Sequence, residues 1–246
     1  MRNHVAIAPL GSKVMEIGDI EVAIFDQHRT SFFHWARWRR TPRIKPPILV
    51  TLDRHSDYSG YPEASTLRTL RNMKRKNMKM LSLITWQSLC KENDDHIMAA
   101  AYMNFVGDIY VLEKSQPNDI LNIFEDHHDR DNNTHKLIVK GNIDSFISIF
   151  CKNVKPGSAI YLDIDLDYFT NEGDYGHITV DPYSEIVVAL RKIRQLMIDC
   201  SCQIRGITIA LEPAHCGSIK NSHNILRVVD FILFNKQLIG ASCSYY

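Results

Sequence analysis

Residues 48–57 read ILVTLDRHSD, an unbroken aliphatic and β-branched run that leads into a polar segment with two acids and a histidine. A continuous run of this kind is typical of a strand that is buried on both faces of a parallel sheet. Similar runs occur at Val5–Ala8, Val22–Phe25, Ile109–Leu112, Ala159–Ile164 and Ile207–Leu211. If helices connect them, these runs predict an α/β protein.

Helical patterns lie between and after these runs. Asp181 is placed to cap a helix whose first residue is Pro182. An apolar stripe follows at steps of four, three and four residues: Ile186, Leu190, Ile193 and Met197. Similar or weaker patterns occur at Ile225–Ile232, Asp94–Phe105 and Asn142–Cys151. We therefore expect one α/β domain over residues 1–246, with a mainly parallel sheet.

The composition excludes several classes of protein. The 246 residues are 45% hydrophobic and 23% charged, which argues against a disordered chain or a coiled coil. The net charge is +1, so a globally basic nucleic-acid binder is not expected. The sequence has six cysteines and no C-x-x-C pair. It shows no secretory signal and no apolar run near the ~20 residues of a membrane span, so we expect a cytoplasmic protein. A homo-oligomer is compatible with this sequence.

Acids and histidines gather where the apolar runs end. His28 follows the run at Val22–Phe25, and residues 53–57 follow the run that opens this section. Residues 163–167 read DIDLD at the end of a third run, and Glu212-Pro213 follows a fourth. Ligands of parallel α/β sheets bind beyond the carboxyl ends of the strands, so we expect these side chains to meet at one edge.

The spacing of these groups favours a metal site. Asp53, His55 and Asp57 point the same way from an extended strand end, and Asp163 and Asp165 do likewise. Carboxylates this close repel one another unless protons or metal ions lie between them. The mixed oxygen and nitrogen set suits Mn²⁺, Fe²⁺ or Co²⁺ better than a thiolate zinc site. A shared carboxylate can bridge two ions about 3.5–4 Å apart, which together generate hydroxide. Taken alone, Asp163 at a strand end is more often a helix cap or a turn residue, and His28 is more often a structural histidine.

The same motifs resemble a known family. The sequence resembles the ureohydrolases, which are the arginases, agmatinases and their relatives. The resemblance lies in D-x-H-x-D after one strand, D-x-D after a later strand and a histidine after an earlier strand. The resemblance lies between about residues 22 and 217 and points to an atypical branch that includes the peptide arginases of ribosomal-peptide (RiPP) modification. It implies a three-layer α/β/α fold, two Mn²⁺ ions per chain and conversion of arginine in a precursor peptide to ornithine and urea.

The resemblance also implies roles for individual residues. It assigns metal-ligand roles to His28, Asp53, His55, Asp57, Asp163 and Asp165, with Asp53 and Asp163 as bridges and Asp165 also catalytic. Glu212 is expected to hold the guanidinium, since a carboxylate accepts two N–H groups at once. Two features depart from the family pattern and bear on the substrate. Residues 25–28 are Phe-Asp-Gln-His instead of Gly-Gly-Asp-His, and Asp167 follows the D-x-D after two residues instead of three.

Guanidine hydrolysis also needs a proton for the departing amine. A histidine is the usual donor at neutral pH. We expect His96, at the start of a predicted helix, to be this proton shuttle, and His215 is the alternative. An exposed histidine in the first turn of a helix is an equally good interpretation of His96.

Other polar segments have simpler interpretations. One group of acids and histidines follows no apolar run and is interpreted as a solvated loop: Asp126, His127, His128, Asp129, Asp131 and His135. The basic stretches 37–45 and 68–79 are interpreted as solvated faces. Alternatively, they bind an acidic precursor peptide or single-stranded nucleic acid.

Several functions remain open at this point. The favoured hypothesis is a manganese-dependent hydrolase of peptide arginine. A small-molecule arginase or agmatinase would use the same site on a small guanidino substrate. A free-arginine enzyme needs partners for the α-amino and α-carboxylate groups, and no convincing set is evident. A metal-dependent amidase or deacetylase would use one zinc and a tyrosine, for which Tyr58 and Tyr168 are candidates. A non-catalytic nucleic-acid-binding module leaves the strand-end acids unexplained.

Overall fold

The computed structural model describes residues 11–39, 44–75, 77–114 and 123–239. The strands among these residues are β1 (Lys13–Ile17), β2 (Ile20–Phe25), β3 (Ile48–Asp53), β4 (Ile109–Glu113), β5 (Ile123–His128), β6 (Thr134–Lys140), β7 (Ala159–Asp165), β8 (Thr170–Glu172), β9 (Ile178–Val180) and β10 (Gln203–Ala210). Eight of them form one sheet in the order β1-β2-β10-β7-β3-β4-β6-β5, and β8 and β9 form a small separate pair.

The large sheet is mainly parallel. Its six inner strands, from β2 to β6 in the spatial order, run parallel, and only the outer strands β1 and β5 pair antiparallel with their neighbours. Five of the apolar runs form inner strands, which confirms the predicted α/β class with a mainly parallel sheet. The sixth run, Val5–Ala8, lies outside the described residues.

Helices cover both faces of this sheet, which gives the expected three-layer arrangement. The α-helices of the described residues are α1 (Ser31–Trp38), α2 (Ala64–Asn72), α3 (Met78–Leu83), α4 (His96–Tyr102), α5 (Ile143–Asn153), α6 (Tyr183–Asp199) and α7 (Ile219–Leu233). Residues of α1 to α4 share one buried core with the sheet, and residues of α5 to α7 share the other. None of the helices in the described ranges is long and apolar enough to cross a bilayer.

The alternation of side chains along β3 shows how one strand serves both cores. Leu49 is buried among residues of α1 and α4, whereas Val50 and Leu52 are buried on the side of α6 and α7. Because every second side chain points to the same face, a strand covered on both sides must be apolar at successive positions. This requirement explains the unbroken run at the start of ILVTLDRHSD.

Helix α6 follows the predicted stripe but begins one residue later than expected. All four stripe residues, from Ile186 to Met197, are buried. The residue before the helix is Pro182, and Asp181 is not its cap. The carboxylate of Asp181 accepts hydrogen bonds from Lys114 and Asn171 instead, so it joins the end of β4 to β8.

The segment predicted to be a solvated loop is a β-hairpin. Residues 123–128 and 134–140 pair antiparallel as β5 and β6, and Asp129 lies in the connecting turn. Its carboxylate accepts backbone N–H groups of Asp131 and Asn133. The prediction was wrong because β5 is an outer strand with mostly exposed side chains, so it has no apolar run and depends on its pairing with β6.

Candidate metal centre

Four adjacent strands bring the predicted residues to one edge of the sheet. Asp53 and Asp165 are the last residues of β3 and β7. His28 begins a one-turn helix just after β2, and Glu212 lies two residues beyond β10. The strands β2, β10, β7 and β3 are neighbours in this order, and their parallel pairing places these ends side by side. The sheet topology therefore assembles the site.

His28 lies among three carboxylates. Its Nδ1 is 2.8 Å from Oδ2 of Asp57, 3.1 Å from Oδ2 of Asp165 and 3.4 Å from Oδ2 of Asp53. All four side chains are buried. Adjacent ligands of an octahedral ion with bonds of about 2.1 Å are about 3 Å apart, so these atoms have the spacing of one first coordination shell. Each of the four residues offers one ligand atom to this group.

Several polar atoms of the site are buried without a hydrogen-bond partner. Among the described residues these include Oδ2 of Asp53 and Nε2 of His96. Buried polar atoms are normally satisfied, so unpartnered ligand-type atoms beside these carboxylates favour a cation site. The residues present therefore fit a divalent metal centre of oxygen and nitrogen ligands.

The electrostatics of the four-residue group also favour a bound cation. Burial and the neighbouring Asp57 raise the pKa of Asp53 well above its usual range. Burial and Asp167 do the same to the pKa of Asp165. Burial lowers the pKa of His28, but Asp163 and Asp165 outweigh it and hold that pKa well above its ordinary value. Burial and mutual repulsion thus disfavour the charged carboxylates, and a cation among them would offset this cost.

A second group of ligand atoms lies nearer the surface. His55, Asp167 and His215 each offer an atom within 4.8 Å of the others, and Nδ1 of His55 is 2.8 Å from Oδ2 of Asp167. Asp167 was not among the predicted ligands. The chain leaves β7 after Asp165 and turns through a short helix (Leu166–Phe169), which brings Asp167 back towards the site. The third acid of DIDLD was the signal that could have identified it.

Asp163 lies apart from both groups of ligand atoms. Its Oδ1 accepts hydrogen bonds from Ser31 (2.9 Å) and Thr208 (2.5 Å). Its Oδ2 accepts from Thr51 (2.8 Å) and lies 2.6 Å from Nε2 of His28. Burial raises its pKa, but His28 and these hydrogen bonds outweigh burial and keep the pKa of Asp163 low. With both oxygens engaged, Asp163 is placed to orient His28 instead of bridging two ions.

Glu212 lies beside His28 and is held by two hydrogen bonds. Its Oε1 accepts the backbone N–H of His28 (2.6 Å) and the side-chain amide of Asn93 (2.8 Å). Within the described part of the chain, no hydrogen bond reaches its Oε2. Its backbone has a φ of +37°, a left-handed conformation that costs a non-glycine residue energy and is frequent at functional sites.

Asn93 connects several parts of the site, and no sequence pattern predicted it. Its side-chain oxygen accepts the backbone N–H of Arg29, and its carbonyl lies 2.7 Å from Nδ1 of His96. Like Glu212, it has a positive φ, of +63°. A single asparagine in a polar loop gives no periodic signal, so its contacts were visible only in three dimensions.

A pocket of about 180 Å³ opens onto these groups. Its lining includes six carboxylate residues: Asp57, Glu92, Asp94, Asp165, Asp167 and Glu212. His55 and His215 line it too, and the described residues of the lining include no lysine or arginine. Such a pocket attracts a cation and repels a carboxylate.

The two predicted proton shuttles have different surroundings. His96 is fully buried, and burial together with the charge of His28 lowers its pKa to about 3. His215 is half-buried, lines the pocket and contacts the ring of His55 at a centroid distance of 5.0 Å. The exposed-histidine interpretation of His96 is thus excluded. His215 has the better access to solvent.

The tyrosines of the deacetylase alternative lie outside the pocket lining. The hydroxyl of Tyr58 donates to Glu113 at 2.5 Å. Tyr168 is buried, and its ring packs against Phe169. Neither hydroxyl is placed to polarise a carbonyl group bound in the pocket.

The basic stretches combine internal contacts with exposed charge. Arg39 donates to the carbonyls of Asn104 and Ile44, and Arg75 donates to the carbonyl of Met103. Arg68 and Arg71 are exposed on α2. Arg40, Arg43 and Lys76 lie outside the residues whose side chains are described.

Comparisons with known proteins give a limited result. No protein-family model and no curated protein matches the chain. Among solved structures, the chain is similar to proclavaminate amidino hydrolase from Streptomyces clavuligerus, with 9% identity and a TM-score of 0.47 over 86% of this chain and 64% of that one. It is also similar to a candidate agmatinase from Clostridium difficile, with 18% identity and a TM-score of 0.41 over 87% and 67% of the two chains. What this chain does is therefore inferred from its own side chains.

Proposed function

We propose that the chain is a metal-dependent hydrolase that cleaves a guanidino group and releases urea. Its proposed substrate is an arginine side chain in a peptide, and its product is ornithine. One observation carries the proposal. A buried glutamate with a free carboxylate oxygen lies at the base of an acidic pocket, next to two groups of converging ligand atoms. A guanidinium is a planar cation with several N–H groups, which the free oxygen of a carboxylate can accept.

We propose two divalent ions, with Mn²⁺ as the metal, held by the two groups of ligand atoms. His28, Asp53, Asp57 and Asp165 would hold the first ion. His55 and Asp167 would contribute to the second, and the neighbouring His215 stays available for proton transfer. In this assignment Asp167 replaces Asp163 as a ligand. Bound divalent ions supply a water nucleophile that is deprotonated near neutral pH.

The chain's own residues would position the reacting groups. The Oε2 atom of Glu212 accepts N–H groups of the guanidinium and directs its carbon atom towards the metal ligands. Water adds to this carbon, the C–N bond to the side chain breaks, and the departing amine takes up a proton. His215 is the favoured donor, because it lines the pocket and is half-exposed, unlike His96.

The pocket charge supports a substrate without a nearby carboxylate. The two ions would neutralise Asp57, Asp165 and Asp167, which leaves Glu92 and Asp94 in the lining besides Glu212. The described lining residues include no lysine or arginine that could bind the α-carboxylate of free arginine. An arginine within a peptide, or a decarboxylated guanidino compound such as agmatine, needs no such partner. We favour the peptide over agmatine because the motifs resemble the peptide arginase branch.

The test measures metal content and urea release together. Protein loaded with Mn²⁺ is incubated separately with free arginine, agmatine and an arginine-containing peptide. Urea from the peptide, with nearly two ions per chain, is the expected result. Urea from only arginine or agmatine would move the assignment to small molecules, and metal without urea would favour the amidase alternative. A protein that binds no metal and releases no urea would refute the proposal.

Asp230→Asn is the matched control. Asp230 is also a buried carboxylate, but it accepts hydrogen bonds from the backbone N–H groups of residues 238 and 239.

A further inference from the structure

We infer that His96 is a metal ligand, which adds a second imidazole to the ion held by His28 and Asp57. The inference rests on the proposed metal centre and changes the role of His96 within it. His28, Asp57 and His96 each offer one ligand atom within 4.8 Å of the other two. Opposite ligands of an ion with bonds of about 2.1 Å are about 4 Å apart, so a small adjustment suffices for shared coordination.

The hydrogen bonding of His96 leaves one ring nitrogen for an ion. Its Nδ1 lies 2.7 Å from the carbonyl oxygen of Asn93, which can only accept, so Nδ1 carries the proton. The other nitrogen, Nε2, is then a bare lone pair, buried and without a hydrogen-bond partner. A metal-bound histidine characteristically donates its other N–H to a carbonyl or a carboxylate. Asn93 provides this contact for His96, as Asp163 does for His28.

Packing fixes the ring of His96 in this orientation. Trp35 stacks on it at a centroid distance of 5.7 Å, and the ring of His28 meets it edge-on at 4.5 Å. The side chain is fully buried, so water does not compete for the nitrogen from the protein surface. A neutral nitrogen that is held in place next to buried carboxylates is suited to bind a cation.

Another buried histidine shows that burial alone does not make such a site. His34 is also fully buried and has an unpartnered nitrogen, Nδ1. Its neighbours, however, are the rings of Phe25, Phe33 and Trp38. His34 therefore serves as the matched control for His96.

A second imidazole has a consequence for metal choice. Nitrogen ligands favour ions such as Co²⁺, Fe²⁺ and Zn²⁺ over Mg²⁺ and Ca²⁺, which prefer oxygen. We therefore expect the first ion site to bind Co²⁺ more tightly than Mn²⁺ and to reject Mg²⁺.

The test titrates metal-free protein with Co²⁺ and follows visible absorption and bound metal, without any substrate. We expect His96→Gln to weaken binding of one ion at least about tenfold, as loss of a supporting group in a metal site already does. His34→Gln should bind like the wild type. Equal Co²⁺ affinity in His96→Gln and the wild type would overturn the inference. If, in that case, Asp165→Asn still abolished binding of the first ion, the proposed metal centre would remain supported without His96. A wild type that binds no metal would overturn both.

A second measurement avoids the risk that His96→Gln does not fold. In wild-type protein labelled with ¹⁵N-histidine, Zn²⁺ should shift the Nε2 resonance of His96 and leave its Nδ1 proton in place. The two ring nitrogens of His34 should not respond. A His96 resonance that Zn²⁺ leaves unchanged, in protein that takes up the ion, would overturn the inference.

Discussion

Replacing Asp163 by asparagine separates the two roles that this residue can have. The sequence motifs suggested a bridging ligand, whereas the structure places its carboxylate on Nε2 of His28 and on three hydroxyl groups. Asparagine has the same shape but exchanges one oxygen for an NH₂ group. The hydroxyl groups of Ser31, Thr51 and Thr208 can rotate to accept a hydrogen bond, but the N–H of His28 cannot.

The amide oxygen can keep the N–H of His28, because the NH₂ group can face hydroxyl groups that rotate, but this acceptor no longer carries a charge. A hydrogen bond to a charged group contributes roughly 1.5–3 kcal/mol and a neutral one about 0.5–1.5 kcal/mol, so the exchange costs about 1–2 kcal/mol. Loss of a group that orients a metal-bound histidine lowers metal affinity by about 10–100-fold. Each factor of ten equals about 1.4 kcal/mol, so the two figures overlap at about tenfold and slightly above. We therefore expect Asp163→Asn to bind the same number of ions as the wild type, at roughly tenfold higher concentration.

Calorimetric titration with Mn²⁺, together with metal counting at saturation, provides the assay. Asp165→Asn removes a direct ligand and is expected to lose an ion at all practical concentrations. Asp230→Asn changes a buried carboxylate away from the site and controls for general destabilisation. If folded Asp163→Asn takes up no ion even at millimolar Mn²⁺, Asp163 is a ligand and the positioning argument is refuted.

Three further changes test other parts of the structure. Glu212→Gln should keep its metal by mass spectrometry but raise KM for guanidino substrates about 10–100-fold, because a charged hydrogen bond of roughly 1.5–3 kcal/mol is lost; loss of metal would make Glu212 a ligand. Protein in free metal at 100 times the dissociation constant should lose about 2.7 kcal/mol of its free energy of unfolding when the metal is removed. Its Tm should fall by about 5–10 °C in calorimetry, and an unchanged Tm would contradict the metal centre. Gly206→Ala places a Cβ 2.4 Å from the ring of Trp38 and should destabilise the fold by about 1–3 kcal/mol in urea denaturation; an unchanged midpoint would show that the ring moves aside freely.

The part of the site that the sequence predicted is the part that depends on strand ends. Continuous apolar runs identify buried parallel strands, and the first polar residues after them lie at the ligand-binding edge. For this reason His28, Asp53, Asp57, Asp165 and Glu212 could be placed together before any coordinates were considered. Their positions in the structure agree with that expectation, while their metal and substrate roles stay proposals.

The part that the sequence did not predict depends on where the chain leaves regular structure. In an extended strand, Asp163 and Asp165 point to the same side, so the pattern treats them as equivalent. The strand ends at Asp165, however, and the following helical turn brings Asp167 to the site and leaves Asp163 deeper, between strands. Asn93 depends on a left-handed backbone in a loop, and β5 depends on its partner strand. None of these features produces a local periodic pattern.

The order of the strands across the sheet also has a kinetic consequence. His28 and Glu212 are in contact, yet they are 184 residues apart in the chain. Closing such a long loop costs entropy, so we expect the complete set of proposed ligands to assemble only after β2, β10, β7 and β3 have paired. We therefore expect a metal ion to bind mainly after the strands have paired. In stopped-flow experiments, Mn²⁺ should slow unfolding and leave the folding rate nearly unchanged. The bound metal would then stabilise the native state only after the apolar strands have formed the sheet.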